Sequence, residues 1–160
     1  MDNLEQLNST LIHQSLEKRI QTVLELYEGK VCLASSLGLE DQLLTHWLCQ
    51  LTKKPDIFVL DTGRLNQETY DVMKQTMQRY NINYRVFFPK ATAVQRLTRK
   101  KGPNSFYDSI ENRKECCGIR KVEPLSRALK NYQAWITGLR KAQSVTRSDI
   151  SLFEHDKLHN

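Results

Sequence analysis

A chain of 160 residues with 39% hydrophobic and 26% charged residues can bury one ordinary core, and it is read as one domain overall. No run approaches the roughly 18 apolar residues that cross a bilayer, and the N-terminus lacks a basic-then-apolar secretion pattern, so the expected compartment is the cytoplasm, with no membrane partner. The formal charge is +6, but Lys and Arg are interleaved with Asp and Glu, which argues against a nucleic-acid stripe and suits a small anionic substrate.

In chain order, the apolar residues Leu4, Leu7, Leu11, Leu16, Ile20, Leu24 and Tyr27 recur at steps of three to five, predicting one long amphipathic helix, an N-terminal segment over 1–28. Gly29 stops it. The run Val31 to Ala34 then reads as a strand, Ser35-Ser36-Leu37-Gly38 as a loop, and Leu43, Leu44, Trp47, Leu48 and Leu51 as the inner face of a helix. The cycle repeats with a strand Ile57 to Leu60, a loop Asp61-Thr62-Gly63-Arg64 and a helix from about Gln67 to Tyr80. A third strand, Tyr84 to Phe88, precedes a helix from about Thr92 to Lys100 and a break at Lys101-Gly102-Pro103-Asn104. A basic helix from about Lys114 to Lys130 and a fourth strand, Ala134 to Thr137, complete the pattern. Strands alternating with helices predict an α/β fold, a parallel twisted sheet with helices on both faces.

Ligands of such sheets bind beyond the carboxyl ends of the strands. Three loops therefore matter. Ser35, Ser36 and Gly38 precede a helix N-terminus that favours an anion, though serine capping of an ordinary turn gives the same pattern. Asp61, Thr62, Gly63 and Arg64 place a carboxylate, a hydroxyl, a flexible position and a guanidinium at one strand end. Gly138, Arg140 and Lys141, with Gln143, Ser144, Thr146 and Arg147 beyond, add hydroxyls and cations, and arginine's planar fork suits phosphate and sulfate.

Four cysteines without a secretion signal are not a disulfide framework. Cys116-Cys117 stands among Arg113, Lys114, Arg120 and Lys121, cations that favour thiolates and suit metal or cluster ligation, with chance adjacency as the alternative. Cys32 and Cys49 read as small core residues. His155 and His159 have i, i+4 spacing but no third ligand nearby, and His13 and His46 offer no partner.

The segments Ser35 to Gln42, Leu60 to Leu65, Cys116 to Leu125 and Thr137 to Ser144, in this order, resemble the adenylyl-sulfate and phosphoadenylyl-sulfate reductase family from about Gly29 to Ser148. The resemblance implies an adenine-nucleotide alpha-hydrolase-like (Rossmann-like) fold, with 29–160 a nucleotide-binding reductase domain that is incomplete at the C-terminus. It implies that Ser35, Ser36 and Gly38 contact the phosphate region and that Leu60, Asp61, Thr62 and Gly63, with Arg64 beside them, frame the adenosine. Gly138 belongs to the same site, and Lys121, Arg140 and Arg147 attract the phosphosulfate. The cysteine pair resembles half of the four-cysteine [4Fe–4S] site of the adenylyl-sulfate branch, which makes Cys116 and Cys117 metal ligands. The implied activity is thioredoxin-dependent reduction of adenylyl sulfate to sulfite and AMP, in assimilatory sulfate reduction. The family's nucleophilic cysteine, in a Glu-Cys-Gly-containing tail, and its Cys-x-x-Cys pair have no counterpart here, so no catalytic residue is assigned and the chain alone is expected to be inactive. Two copies would pool four thiols, which leaves a homo-oligomer open. The competing readings are a phosphoadenylyl-sulfate reductase, an ATP pyrophosphatase and a non-catalytic nucleotide-binding module.

Overall fold

The computed structural model describes residues 4–140 and 150–158. Four strands, β1 (Val31–Ser35), β2 (Ile57–Leu60), β3 (Arg85–Phe87) and β4 (Ala134–Thr137), form one all-parallel sheet in the order β3-β2-β1-β4. Leu33 sits opposite Ile57 on one side and Ile136 on the other, which fixes the register at the centre of the sheet.

The helices are α1 (Leu4–Leu11), α2 (Leu16–Tyr27), α3 (Leu39–Leu51), α4 (Gln67–Tyr80), α5 (Ala91–Lys101), α6 (Ile110–Cys117) and α7 (Glu123–Leu129). Side chains alternate across a strand, so the two faces of the sheet collect different cores. Leu33, Ile57 and Val59 pack with Ile20 of α2 and Leu44 and Leu48 of α3, joined by Met73 and Met77 of α4. On the other face Cys32 and Phe58 pack with Ala128 and Leu129 of α7. The expected architecture, helices on both faces of a parallel sheet, is therefore present.

Two predicted helices are broken. The single helix expected over the first 28 residues is two, because Ser15 caps α2 by accepting from the Lys18 amide at 3.2 Å, while Arg19 donates from Nε to the Leu11 carbonyl at 2.9 Å and closes the end of α1. Even spacing of apolar residues does not register such a corner. The helix expected from Lys114 to Lys130 is α6, a π-helical segment Gly118–Val122 and α7. Pro124 stands at the start of α7 and has no N–H to donate into the preceding turn, so the regular ladder cannot run through it. Instead the Glu123 amide reaches back to the Gly118 carbonyl. Among the described residues no helix is long and apolar enough to cross a membrane.

At the amino edge of the sheet, Arg85 donates to Asp56 at 2.7 Å and lies over the rings of Phe58, Phe87 and Tyr132, while the Tyr132 hydroxyl donates to the second oxygen of Asp56. Burial, reinforced by the Asp56 charge, pushes the Cys32 thiol from 9.0 to about 12; burial and the bond to Asp56 push the Tyr132 phenol from 10.0 to about 12. Both groups are thus held protonated by the fold. Their contribution to stability is complete below pH 9.0 and is lost as pH rises towards about 12. Denaturant midpoints measured from about pH 8 upward should fall through this range, and Tyr132→Phe should flatten the fall; a midpoint independent of pH in both proteins would contradict the assignment.

Candidate functional site

The chain moves outward from β1 through β2 to β3 and then returns to the other side of β1 as β4. Such a reversal opens a crevice at the carboxyl ends of the two strands where it occurs. Ser35-Ser36-Leu37-Gly38 leaves β1 there, and Gly138 to Arg140 leave β4 beside it.

The serine loop is held from within. Ser35, buried, accepts through its hydroxyl from the Leu37 amide at 3.1 Å. Leu37 adopts φ +65° and offsets that left-handed conformation by burying its side chain in the core formed by Leu33, Leu44 and Ile57. Ser36 donates both its amide and its hydroxyl to Asp41 Oδ2, each at 2.6 Å. Asp41 lies in the first turn of α3, where the helix dipole favours a carboxylate, and is only 5% exposed. The two serines are thus placed differently: the Ser36 donors are engaged by Asp41, while the Ser35 hydroxyl accepts from Leu37 and donates to no acceptor among the described residues. Gly38 caps α3 with extended backbone and no side chain in the way.

Asp41 also meets the loop after β4. Its Oδ1 is buried without a hydrogen-bond partner among the described residues, and a Cβ added to Gly138 would stand 2.2 Å from it. Only glycine fits at 138. Arg140 forms an ion pair with Glu40, so its guanidinium is shared with the same helix turn rather than reserved for a ligand.

The second loop is as tightly organised. Asp61, 3% exposed, accepts from the Gly63 amide at 2.8 Å through one oxygen and from the Tyr70 hydroxyl at 2.9 Å through the other. That bond to Asp61 raises the Tyr70 pKa. The Thr62 hydroxyl accepts from the Arg64 amide at 3.2 Å, and Gly63 takes φ +71°, which favours glycine. Leu60 packs its side chain against the Phe58 core, leaving its backbone to face the loop. Arg64 reaches the segment that precedes α6. Its Nη1 donates to the Pro103 carbonyl at 3.0 Å, its Nη2 to Asn104 Oδ1 at 2.9 Å, and its guanidinium lies 5.0 Å from the Phe106 ring centre.

Cys116 and Cys117 end α6 as free thiols, the first half-buried and the second exposed. Lys121 is exposed within the π-helical segment, and Arg120 donates from Nη1 to the Thr62 carbonyl at 2.6 Å. The thiol pair and the second loop are thus joined. The pair supplies two adjacent sulfur ligands at the end of one helix, which fits half of a four-cysteine site. Cys32 is buried in β1 and Cys49 is on α3, both with raised pKa values from burial, and among the described residues no three metal-binding side chains are grouped.

Lys141, Gln143, Ser144, Thr146, Arg147 and His159 lie outside the described residues. His155 is exposed, and His46, expected to have no partner, shares a hydrogen bond of 3.1 Å with the Tyr80 hydroxyl. Sequence reasoning missed Asp41, Tyr70 and Arg120 as site residues. The acidic pair Glu40-Asp41 just after Gly38 was the available signal for the first; the other two depend on contacts between distant segments. A groove of about 380 Å³ at the opposite edge, lined by Leu24, Val31, Leu48 and Asp56, receives none of these loops.

The family model described as the phosphoadenosine phosphosulfate reductase domain matches residues 30–160. Similar curated relatives include an adenosine 5'-phosphosulfate reductase of Burkholderia cepacia, 47% identical over 128 residues, covering 80% of this chain and 51% of that protein. The 5'-adenylylsulfate reductase 3, chloroplastic, of Arabidopsis thaliana is 42% identical over 158 residues, covering 98% of this chain and 34% of that one. The chain thus spans about half the length, or less, of these two relatives. The crystal structure of a phosphoadenylyl-sulfate reductase from Candida auris in a phosphate complex aligns over 89% of this chain and 70% of its own, with a TM-score of 0.76 at 23% identity, which establishes a shared fold. With a family model covering most of its length and relatives well above 30% identity, the chain belongs to the phosphoadenosine phosphosulfate reductase domain family.

Proposed function

We propose that this chain is the substrate-binding portion of a thioredoxin-dependent adenylyl-sulfate reductase of assimilatory sulfate reduction. The observation that carries the reading is the meeting of the serine loop and Gly138 at the β1/β4 crevice, with the Asp61–Arg64 loop at the same sheet edge tied through Arg120 to the element bearing Cys116-Cys117. The names of the relatives and the cysteine pair favour adenylyl sulfate over its 3'-phosphorylated form.

In this reading the Ser35 hydroxyl and the first-turn amides of α3, near Gly38, receive the phosphate region. Ser36 acts at one remove, by holding Asp41 and so the shape of the loop. The backbone from Leu60 to Gly63 frames the adenosine. Lys121 and Arg147 draw in the phosphosulfate, and Arg140 exchanges Glu40 for it as the substrate arrives. Concentrating cations there favours departure of AMP, because negative charge moves onto the leaving phosphate when a thiolate attacks sulfur and the sulfur–oxygen bond breaks. The resulting thiosulfonate is then reduced by thioredoxin, releasing sulfite. A bound [4Fe–4S] cluster would supply a local charge centre beside the substrate, with Cys116 and Cys117 as two of its ligands.

None of the four cysteines suits the nucleophile. Cys32 and Cys49 are held as thiols by burial, and Cys116 and Cys117 are assigned to ligation. The isolated chain should therefore bind substrate without turning it over.

Anaerobic calorimetry should show adenylyl sulfate binding in preference to phosphoadenylyl sulfate and ATP, with no sulfite formed when thioredoxin is added. Preference for ATP, with release of pyrophosphate, would instead make the chain a nucleotide pyrophosphatase. Gly138→Ala should lower stability by about 1–3 kcal/mol, because the new methyl group drives the β4 loop off Asp41. The same displacement should weaken adenylyl-sulfate binding about tenfold or more, and unchanged affinity in a folded variant would remove Gly138 from the site.

A further inference from the structure

Helix α6, which carries the thiol pair, is unusual in this fold because it buries no residue. Ile110 at its start is 67% exposed, and Tyr107 just before it 73%. No apolar face anchors this helix to the sheet, so its position is set by polar ties. Lys101 of α5 donates to Asn112 at 2.8 Å and to Glu115 at 2.6 Å. The other ties run to one place, the loop at the end of β2.

On the amino side of α6, Arg64 of that loop holds the Pro103 carbonyl and Asn104, and covers Phe106. On the carboxyl side, Arg120 of the π-helical segment donates to the Thr62 carbonyl, and its Nη1 is 3.4 Å from where a Gly63 Cβ would be. The thiol-bearing helix is therefore bracketed by two guanidinium groups whose contacts converge on three successive residues, Thr62, Gly63 and Arg64. The Arg120 Nε is buried with no partner, so the contact with Thr62 is what fixes that side chain.

We propose that Arg64 and Arg120 are positioning residues that couple the nucleotide site to the thiol pair. Nucleotide seated on the Asp61–Arg64 loop stabilises the arrangement in which both guanidinium ties are made and Cys116 is half-buried, and so lowers the fraction of molecules in which α6 is released and Cys116 uncovered. The proposal rests on the assignment of that loop to nucleotide binding made above. Coupling is reciprocal, so whatever AMP binding does to Cys116, a change at the thiol pair does to AMP affinity by the same factor.

The test is iodoacetamide alkylation of the full chain under anaerobic conditions, followed residue by residue with mass spectrometry, with and without AMP at a concentration that calorimetry shows to be saturating. Exposed Cys117 serves as a reference within the same molecule for the half-buried Cys116. AMP should slow Cys116 about fivefold or more relative to Cys117. Arg64→Ala should bring that ratio to within about twofold of one at AMP saturation, and Arg64→Lys, which keeps the charge but loses the fork, should do nearly the same. Arg64 is exposed and has no core contact to lose; Arg120→Lys provides the second variant from the other bracket. AMP that binds and leaves the Cys116 ratio unchanged, or protection that survives in both variants, overturns the coupling while leaving the nucleotide assignment intact. Failure of both AMP and adenylyl sulfate to bind overturns the nucleotide assignment and the coupling with it.

Discussion

The Asp41 carboxylate is the constraint on which the crevice depends. One oxygen takes two hydrogen bonds from Ser36 and so sets the turn out of β1; the other lies against Gly138 and so sets how closely the turn out of β4 can approach. Two strands that are neighbours in the sheet but far apart in sequence are thereby joined at their ends through a single side chain at the mouth of α3. The helix dipole helps to keep a charge there, and the near-complete burial makes its hydrogen bonds with Ser36 stronger than they would be in water. The Leu37 conformation and the Gly38 cap follow from this arrangement, since the loop must turn sharply to deliver Ser36 to the carboxylate.

The fold was largely legible in the sequence because most strands are short apolar runs between turn residues and every helix but α6 buries at least one residue. Val31 to Ala34, Ile57 to Leu60 and Ala134 to Thr137 fall within the observed strands, and the parallel arrangement follows from the helices between them. The errors share a cause. At Ser15 and at Pro124 the apolar spacing continues across a break in backbone hydrogen bonding, so periodicity alone joined helices that capping and a missing N–H separate. Third-strand residues Tyr84 and Phe88 were included on composition, but only Arg85–Phe87 pair with β2.

The site was legible as a set of loops and not as a set of contacts. Ser35, Asp61, Gly63 and Gly138 could be picked out because strand ends, turn chemistry and the order of motifs mark them. What each side chain does could not, because it depends on partners tens of residues away. Arg64 reads as standing beside the residues that frame the adenosine, and its guanidinium braces residues 103–106; Arg140 reads as drawing the phosphosulfate, and it is shared with Glu40; Arg120 reads as one more cation beside the thiols, and it bonds Thr62. Guanidinium groups are hard to assign from sequence for a physical reason: the same planar fork that suits an anion suits backbone carbonyls equally well.

The π-helical segment has a consequence for how this part of the chain can vary in length. A π turn accommodates one more residue than the α-helical turn it replaces, so Gly118–Val122 acts as a fixed one-residue insertion between the thiol pair and α7. Deleting one residue there would remove what the π turn absorbs and let the segment close as a regular α turn, leaving α7 in about its present phase. Arg120, inside the turn that closes up, would be drawn away from the Thr62 carbonyl, while α7 would keep Ala128 and Leu129 against Cys32 and Phe58. The extra residue of the π turn is therefore used at one place, in bringing the Arg120 guanidinium to the loop at the end of β2.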